Sequence, residues 1–268
     1  MSRCYLAVAA LLCLTVALPA VANERHFTRS HETAVLPPGT VEIEPVTTLR
    51  MGRDRYFSRI DNRLEFEFGV ADRWMSALYL NFSASGTRGP DGKIDATLEH
   101  GGVSSEWKVK LSDPVADPVG SALYVEGTLA PGELGIEGKV LIDKRVGDWG
   151  MVVNGAYEFE HALGGGDSEH KVAATAGIGW FLSPHMSLGL EAMSVNVLQD
   201  AADGAGLKLQ HGAVFAGPVV SYATQGWWVA LSVTPQVLGY GAAVPSGRGL
   251  DLDEFERVQA RILLGLHL

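Results

Sequence analysis

Cysteine is nearly absent from this chain: both residues, Cys4 and Cys13, fall within the first 13 positions. The rest can form no disulfide and offers no thiolate for a metal. Beyond the N-terminus no run of about 18 apolar residues occurs, which excludes a membrane-spanning helix there. Positive charge is also scarce, with 21 Lys and Arg against 31 Asp and Glu and a formal net charge of −10. That balance argues against nucleic acid as a partner. No linker-like break or charge block divides the chain, and helical periodicity is weak. What remains is abundant alternation and 32 glycines, the composition of a β protein.

Residues 1–22 read as a cleaved secretory signal. Arg3 gives a positive start, Leu6 to Leu18 an apolar core, and Ala20-Val21-Ala22 a small-x-small cleavage site. Losing this segment removes one base and no acid. Residues 23–39, with Pro37-Pro38-Gly39 and no periodicity, read as a flexible periplasmic N-terminal segment, and 40–268 as the folded domain.

Twelve alternating stretches fill that domain. The first, near 40–51, sets Val41, Ile43, Thr47 and Leu49 against Glu42, Glu44, Thr48 and Arg50. In the second, Leu64, Phe66, Phe68 and Val70 oppose Arg63, Glu65 and Glu67. The last, near 255–268, runs Val258, Ala260, Ile262, Leu264, Leu266 and Leu268 in period two. Stretches of about 9–11 residues or more suit a tilted membrane strand. The joints alternate in length. Ala71-Asp72-Arg73, Asp113 to Pro118, Gly147-Asp148, Ser183-Pro184-His185 and Gln225-Gly226 are short, while Gly52 to Asp61, Ser85 to Gly101, Ala162 to Glu169, Asp200 to Leu209 and Gly239 to Asp253 are longer. Short turns at one end and loops at the other are the signature of an outer-membrane barrel, with turns in the periplasm. The spacing therefore predicts an all-β transmembrane antiparallel up-and-down barrel of about 12 strands. One outer joint, Ala130 to Glu133, is short against this pattern. Trp74, Trp149 and Trp227 each follow a short turn with the parity of the apolar face, and Trp180 precedes another, as in an aromatic girdle.

With the apolar face toward lipid, the other face lines the lumen. Its predicted lining includes the acids Glu65, Glu67, Glu106, Glu126, Glu137, Glu158 and Glu160 and the bases Lys108, Lys110, Lys139, Arg257 and Arg261. Mixed signs suit either a braced, narrow lumen or a weakly selective aqueous path. Strands eight to eleven present a smaller, more apolar inner wall: Ala173, Thr175, Gly177, Gly179, Phe181, Gly189, Met193, Val214, Ala216, Val220, Tyr222 and Trp228. Pro218 and Pro235 interrupt strands ten and eleven, each removing a ladder donor. This wall reads either as a groove for an apolar solute or as packing against the N-terminal segment.

Signatures of catalysis are weak. His185-Met186-Ser187 puts a base and a hydroxyl on one strand face, but a nucleophile needs an oriented base and a third group. His31-Glu32-Thr33-Ala34-Val35 lacks the second histidine of a zincin, and Gly164-Gly165-Gly166 lacks the strand-to-helix context of a phosphate cradle. No catalytic residue, metal site or cofactor is expected. In the first outer joint Arg53, Arg55 and Arg59 surround Tyr56 and Phe57. Arginine forks suit lipopolysaccharide phosphates, while pairing with Asp54 and Asp61 would make this an ordinary loop.

The stretch Pro45 to Phe82, Ser105-Glu106-Trp107-Lys108-Val109-Lys110-Leu111, Asp113-Pro114 and Gly120 to Glu126 resembles a group of small Gram-negative outer-membrane transporter proteins, including those named after the MetA pathway of phenol degradation. Gly138 to Trp149 and Leu188-Gly189-Leu190-Glu191 continue the likeness. The resemblance implies a barrel delivered to the outer membrane by the barrel-assembly machinery, in contact with its lipid and lipopolysaccharide. It brings no catalytic residues. His267-Leu268 departs from the aromatic ending such barrels usually carry. The expected function is passive or facilitated passage of small solutes, apolar or aromatic ones among them. The alternatives are a non-transporting structural or surface barrel, its lumen plugged by salt bridges and the N-terminal segment, and an outer-membrane hydrolase.

Overall fold

The computed structural model describes residues 24–89, 91–165, 168–200, 206–244, 247 and 249–268. The secretory signal therefore lies outside the described residues, as do Gly166, Asp167 and Asp203 of the outer loops. Twelve strands form one closed antiparallel barrel in which each pairs with its neighbours in sequence and β1 closes on β12. They are β1 (Val41–Met51), β2 (Phe57–Ala71), β3 (Trp74–Arg88), β4 (Ile94–Ser112), β5 (Gly120–Ala130), β6 (Glu133–Val146), β7 (Trp149–Ala162), β8 (Ser168–Ser183), β9 (Met186–Asp200), β10 (Leu207–Ala223), β11 (Trp227–Tyr240) and β12 (Val258–His267). Closure leaves no sheet edge, as a lipid-embedded backbone requires.

The period of two sets which side chains face outward. On β2 Glu65 and Glu67 are 3% and 5% exposed, whereas Phe68 and Val70 between the same walls are 37% and 49% exposed. Leu188, Leu190, Leu231 and Ile262 likewise point out. The result is an apolar belt of the kind that meets lipid. The aromatic girdle is present at the short-turn end: Trp74 lies 5.7 Å from Trp107, Trp149 stacks on its register partner Trp180 at 6.2 Å, and Tyr222 lies 5.7 Å from Trp227. The start of β1 and the end of β12 are at this same end, since Glu42 pairs with His267.

Turn chemistry explains the joints. Gly147 takes φ +57 in the two-residue turn between β6 and β7. The short outer joint is a Pro131-Gly132 turn with Gly132 at φ +81, the sequence and backbone sign of a type II turn. It needs no longer loop. The joint expected over Ser85 to Gly101 is mostly strand, because β3 and β4 continue pairing outward to Arg88↔Ile94.

Two expectations are overturned. Residues 24–39 are not a flexible periplasmic segment: Phe27, Thr28, Ser30, Thr33 and Leu36 are each at most 2% exposed, packed inside the barrel. The inner wall of β10 is also inverted relative to the sequence reading. Ala213, Phe215, Val219, Ser221 and Ala223 face inward, while Tyr222 joins the outer girdle and Val214, Ala216 and Val220 take the other parity. Both faces of β10 are apolar, so alternation could not tell them apart.

Candidate functional site in the lumen

The N-terminal segment makes a closed loop within the lumen. The His26 backbone N–H and ring Nδ1 meet the Glu32 carboxylate, each at 2.9 Å, tying the two limbs of the loop together. Its crown is held by β9. The Glu191 carboxylate accepts from the backbone N–H groups of Thr28, Arg29 and Ser30 at 3.1, 2.7 and 2.6 Å and from the Thr28 hydroxyl at 2.8 Å. Successive backbone donors aimed at one carboxylate form an anion cradle. Thr28 Oγ1 also lies 2.7 Å from Ser232 Oγ on β11. Asn154 accepts from His31 N at 2.6 Å and donates to His31 O at 2.9 Å. Asp143 accepts from Thr33 N at 3.0 Å and Thr33 Oγ1 at 2.7 Å.

Shape reinforces polarity. The Phe27 ring packs against Val152 and Val219 and fills the space beside Gly177, where a Cβ would come within 2.5 Å of it. The glycine-rich wall of β8 is therefore a socket. The ladder between β10 and β11 pairs Phe215↔Gln236 and next Val219↔Ser232; Pro218 and Pro235 lie in the gap. Thr28 bridges Glu191 on β9 to Ser232 on β11, across the inner side of that gap.

A second inward segment caps part of the outer mouth. Residues 251–256, between β11 and β12, bury Asp251, Leu252, Phe255 and Glu256. Phe255 meets Phe215 edge-on at 6.3 Å, and Asp251 O accepts from Gln236 Nε2 at 2.9 Å. Toward the outer mouth lies a polar chamber of about 320 Å³ lined by residues of β1, β2, β3, β4, β5, β7 and β12.

The predicted lumen residues divide by depth. Glu65, Glu67, Glu106, Lys108 and Glu126 are buried, none more than 5% exposed. Glu137 pairs with Lys139 at 2.8 Å, Glu160 with Lys171 at 2.6 Å and Lys110 with Asp113 at 2.7 Å. Glu158 is half-buried on the β7 wall of the chamber, and Arg261 is half-buried on the β12 wall. Arg257 is the exception, exposed at the outer rim one residue before β12.

Glu42, Glu44 and Glu67 bring carboxylate oxygens within 4.8 Å of one another. They come from adjacent strands, and Glu42 faces Glu67 in register. Arg25 Nη1 lies 3.1 Å from Glu44 and His267 Nε2 lies 2.7 Å from Glu42, so the chain itself brings a guanidinium and an imidazole to this cluster. His185 and Ser187 do not meet: His185 Nδ1 is 3.0 Å from the Ala223 carbonyl, and Ser187 Oγ is 2.6 Å from Ser221 Oγ. The three loop arginines separate as well. Arg59 turns to the chamber and pairs with Asp61 at 2.6 Å, Arg53 lies 4.2 Å over the Phe57 ring, and Arg55 is exposed. Glu191 was not singled out for the lumen, because it sits alone in an apolar strand with no charged neighbour at i±2.

The fold compares with solved barrels at low identity. The COG4313 outer membrane channel from Pseudomonas putida F1 superposes with a TM-score of 0.63 at 9% identity, over 88% of this chain and 98% of that one. The NanC porin gives a TM-score of 0.53 at 11% identity, over 84% of this chain and all of that one. At such identities the likeness is one of fold. No curated relative matches the chain. The finer resemblance to the phenol-pathway group rests on the sequence motifs alone. A family model matches residues 19–131 and 146–268, most of the sequence. The chain thus belongs to a family of unknown function, DUF6662.

Proposed function

We propose that this protein resides in the outer membrane and gives passive passage to small solutes, with residues 24–39 as a plug that must shift or thin for passage. The observation that carries this reading is the division of the lumen. A polar, charge-lined chamber sits toward the outer mouth, and below it the path is filled by a segment held only by noncovalent contacts. A wall meant only to be solid could be filled by strand side chains, as in small barrels. The likeness of fold to an outer-membrane channel and a porin supports the same reading. An apolar or aromatic solute would need the inner wall of β8–β11, which Phe27 and Phe255 cover. It would reach that wall only with the plug displaced.

Burial of the plug also favours a second reading, a barrel that is structural and passes nothing. Lipopolysaccharide contact through Arg53 and Arg55, recognition by the assembly machinery and absence of enzymatic activity complete the proposal. Single-channel conductance and liposome swelling with the purified protein, with and without residues 23–39, separate the two readings. Passage predicts a small conductance in the full protein that rises on deletion. Silence in both forms, with the barrel folded, overturns it in favour of the structural barrel.

A further inference from the structure

The arginines on and beside the wall of the outer chamber do not all find carboxylates. Arg50 lies 2.7 Å from Asp61 and 3.7 Å from Glu256, Arg59 lies 2.6 Å from Asp61, and Arg63 lies 3.4 Å from Glu65 and 3.7 Å from Glu126. Arg29 and Arg261 differ. Among the described residues neither guanidinium has a carboxylate within ion-pair distance, and the Nε of each is buried without a hydrogen-bond partner. Register places them together. Gln259 faces Arg50 and Arg261 faces Thr48 across β1 and β12, and Arg29 donates to Gln259 Oε1.

The acids of the opposite wall do not answer this charge. Glu126 accepts from the Tyr124 hydroxyl at 2.5 Å and lies beside Arg63, and Glu160 is taken by Lys171. Glu158 stands near Lys171 and Lys139. Glu191, Glu256 and Asp61 act on Arg29, and Glu65 on Arg261, only from beyond ion-pair distance. Two guanidiniums without a direct carboxylate partner, Arg261 on the chamber wall and Arg29 on its strand neighbour Gln259, are costly unless an anion joins them. Their forked donors fit two-oxygen groups such as carboxylate or phosphate.

We infer that Arg29 and Arg261 form a binding site for small solutes bearing a carboxylate or phosphate group, set on the β12 side of the outer chamber. The inference rests on the passage reading for its role and names the solute class. Burial, then the neighbouring positive charge of Arg50, pulls the Arg29 guanidinium down to about 10. It remains charged at neutral pH, but in a site where an anion would relieve it. Acids on the far wall would hold a singly ended anion against the arginines. Because Arg29 belongs to the plug, an anion there touches both plug and barrel.

The test is calorimetric titration of the purified, folded protein in detergent at low ionic strength with glucuronate, glucose 1-phosphate and glucose. At least one anion should bind saturably and glucose should not; which anion binds decides between carboxylate and phosphate. Arg29→Gln and Arg261→Gln should each weaken that binding roughly tenfold or more, since each removes a charge-assisted contact. Arg261→Lys should retain part of it. Arg29 lies outside the strands, so its variant keeps the test open if a β12 variant fails to fold. Binding of glucose equal to the anions, no anion binding, or variants that bind like the wild type would overturn the site. Liposome swelling with glucose reports passage separately: no swelling while glucuronate binds sinks the passage reading and leaves the site standing.

Discussion

Glu191 holds Thr28 by both its backbone N–H, at 3.1 Å, and its hydroxyl, at 2.8 Å, across 163 residues of sequence. Both groups are buried, Glu191 at 2% exposure and Thr28 at 0%. The contact fixes the crown of the plug. It also ties β9 to β11 through Ser232 across β10, whose ladder to β11 is interrupted around Pro218 and Pro235.

Glu191→Gln should loosen the plug strongly. The carboxylate accepts four hydrogen bonds from three consecutive residues, whereas an amide offers one acceptor oxygen and turns its NH₂ toward donors. Hydrogen bonds to charged groups contribute about 1.5–3 kcal/mol each, so docking should weaken by at least about 2 kcal/mol. A Ser30→Cys reporter, buried in the docked plug, would be labelled by a maleimide many times faster in the Glu191→Gln background. Unchanged labelling would show that the cradle does not hold the plug.

Phe27→Ala should act through packing. The ring is 2% exposed and fills the socket beside Gly177, and truncating a buried Phe costs about 3–5 kcal/mol. Gly177→Leu should give the same release from the barrel side, because its Cβ would overlap the ring. Hydrogen exchange of residues 24–36 reads both variants. Exchange that rises in one variant but not the other would place the ring elsewhere.

Acid should free the plug through His31. Burial first, then the positive charge of Arg25 and Lys139, holds its imidazole well below the ordinary 6.5. A docked His31 is neutral and a released one protonates near 6.5, so its share of docking is complete above that pH. It is lost as pH falls from 6.5 toward the depressed value. His26 works in the opposite sense. Burial opposes its charge, but the Glu32 carboxylate outweighs it and raises the His26 value above 6.5. Its contribution is full below 6.5 and fades as pH rises through the raised value. Labelling of the Ser30→Cys reporter, taken relative to a free thiol at each pH because the reactive thiolate itself declines in acid, should therefore increase as pH falls from 7 to 5, and His31→Gln should flatten that increase. An unaltered profile in His31→Gln would assign the acid response to another group.

Adjacent residues on β12 should respond oppositely to a change of charge. Ile262 points outward at 41% exposure, so Ile262→Arg should cost about 2–4 kcal/mol if it lies near the bilayer midplane. Arg261→Gln removes a lumen charge that has no ion-pair partner among the described residues, and should cost about 1 kcal/mol or less. Folding titrations in lipid vesicles measure both. Equal costs would mean that the two faces of β12 are not lipid and lumen.

Alternation, turn lengths and tryptophans determine the architecture from the sequence alone. Glu65 and Glu67 could only go inward once Phe66 and Phe68 met lipid, because successive side chains leave a strand on opposite faces. Trp149 and Trp180 were legible as girdle residues because each sits next to a short turn. These are local properties, carried by residues two apart or by one turn. Where both faces were apolar the rule had nothing to act on, and β10 came out inverted. The destination of residues 24–39 was hidden for a different reason. That segment has no period of its own, and its partners Glu191, Asn154 and Asp143 lie 110 to 163 residues away. Arg59 and Arg261, alike in sequence as strand arginines, divide on the same line: Arg59 pairs with Asp61 two residues along its own strand, whereas Arg261 is left without an ion-pair partner among the described residues. Closing the barrel decided those partnerships, because it brings strands distant in sequence around one lumen only a few side chains wide.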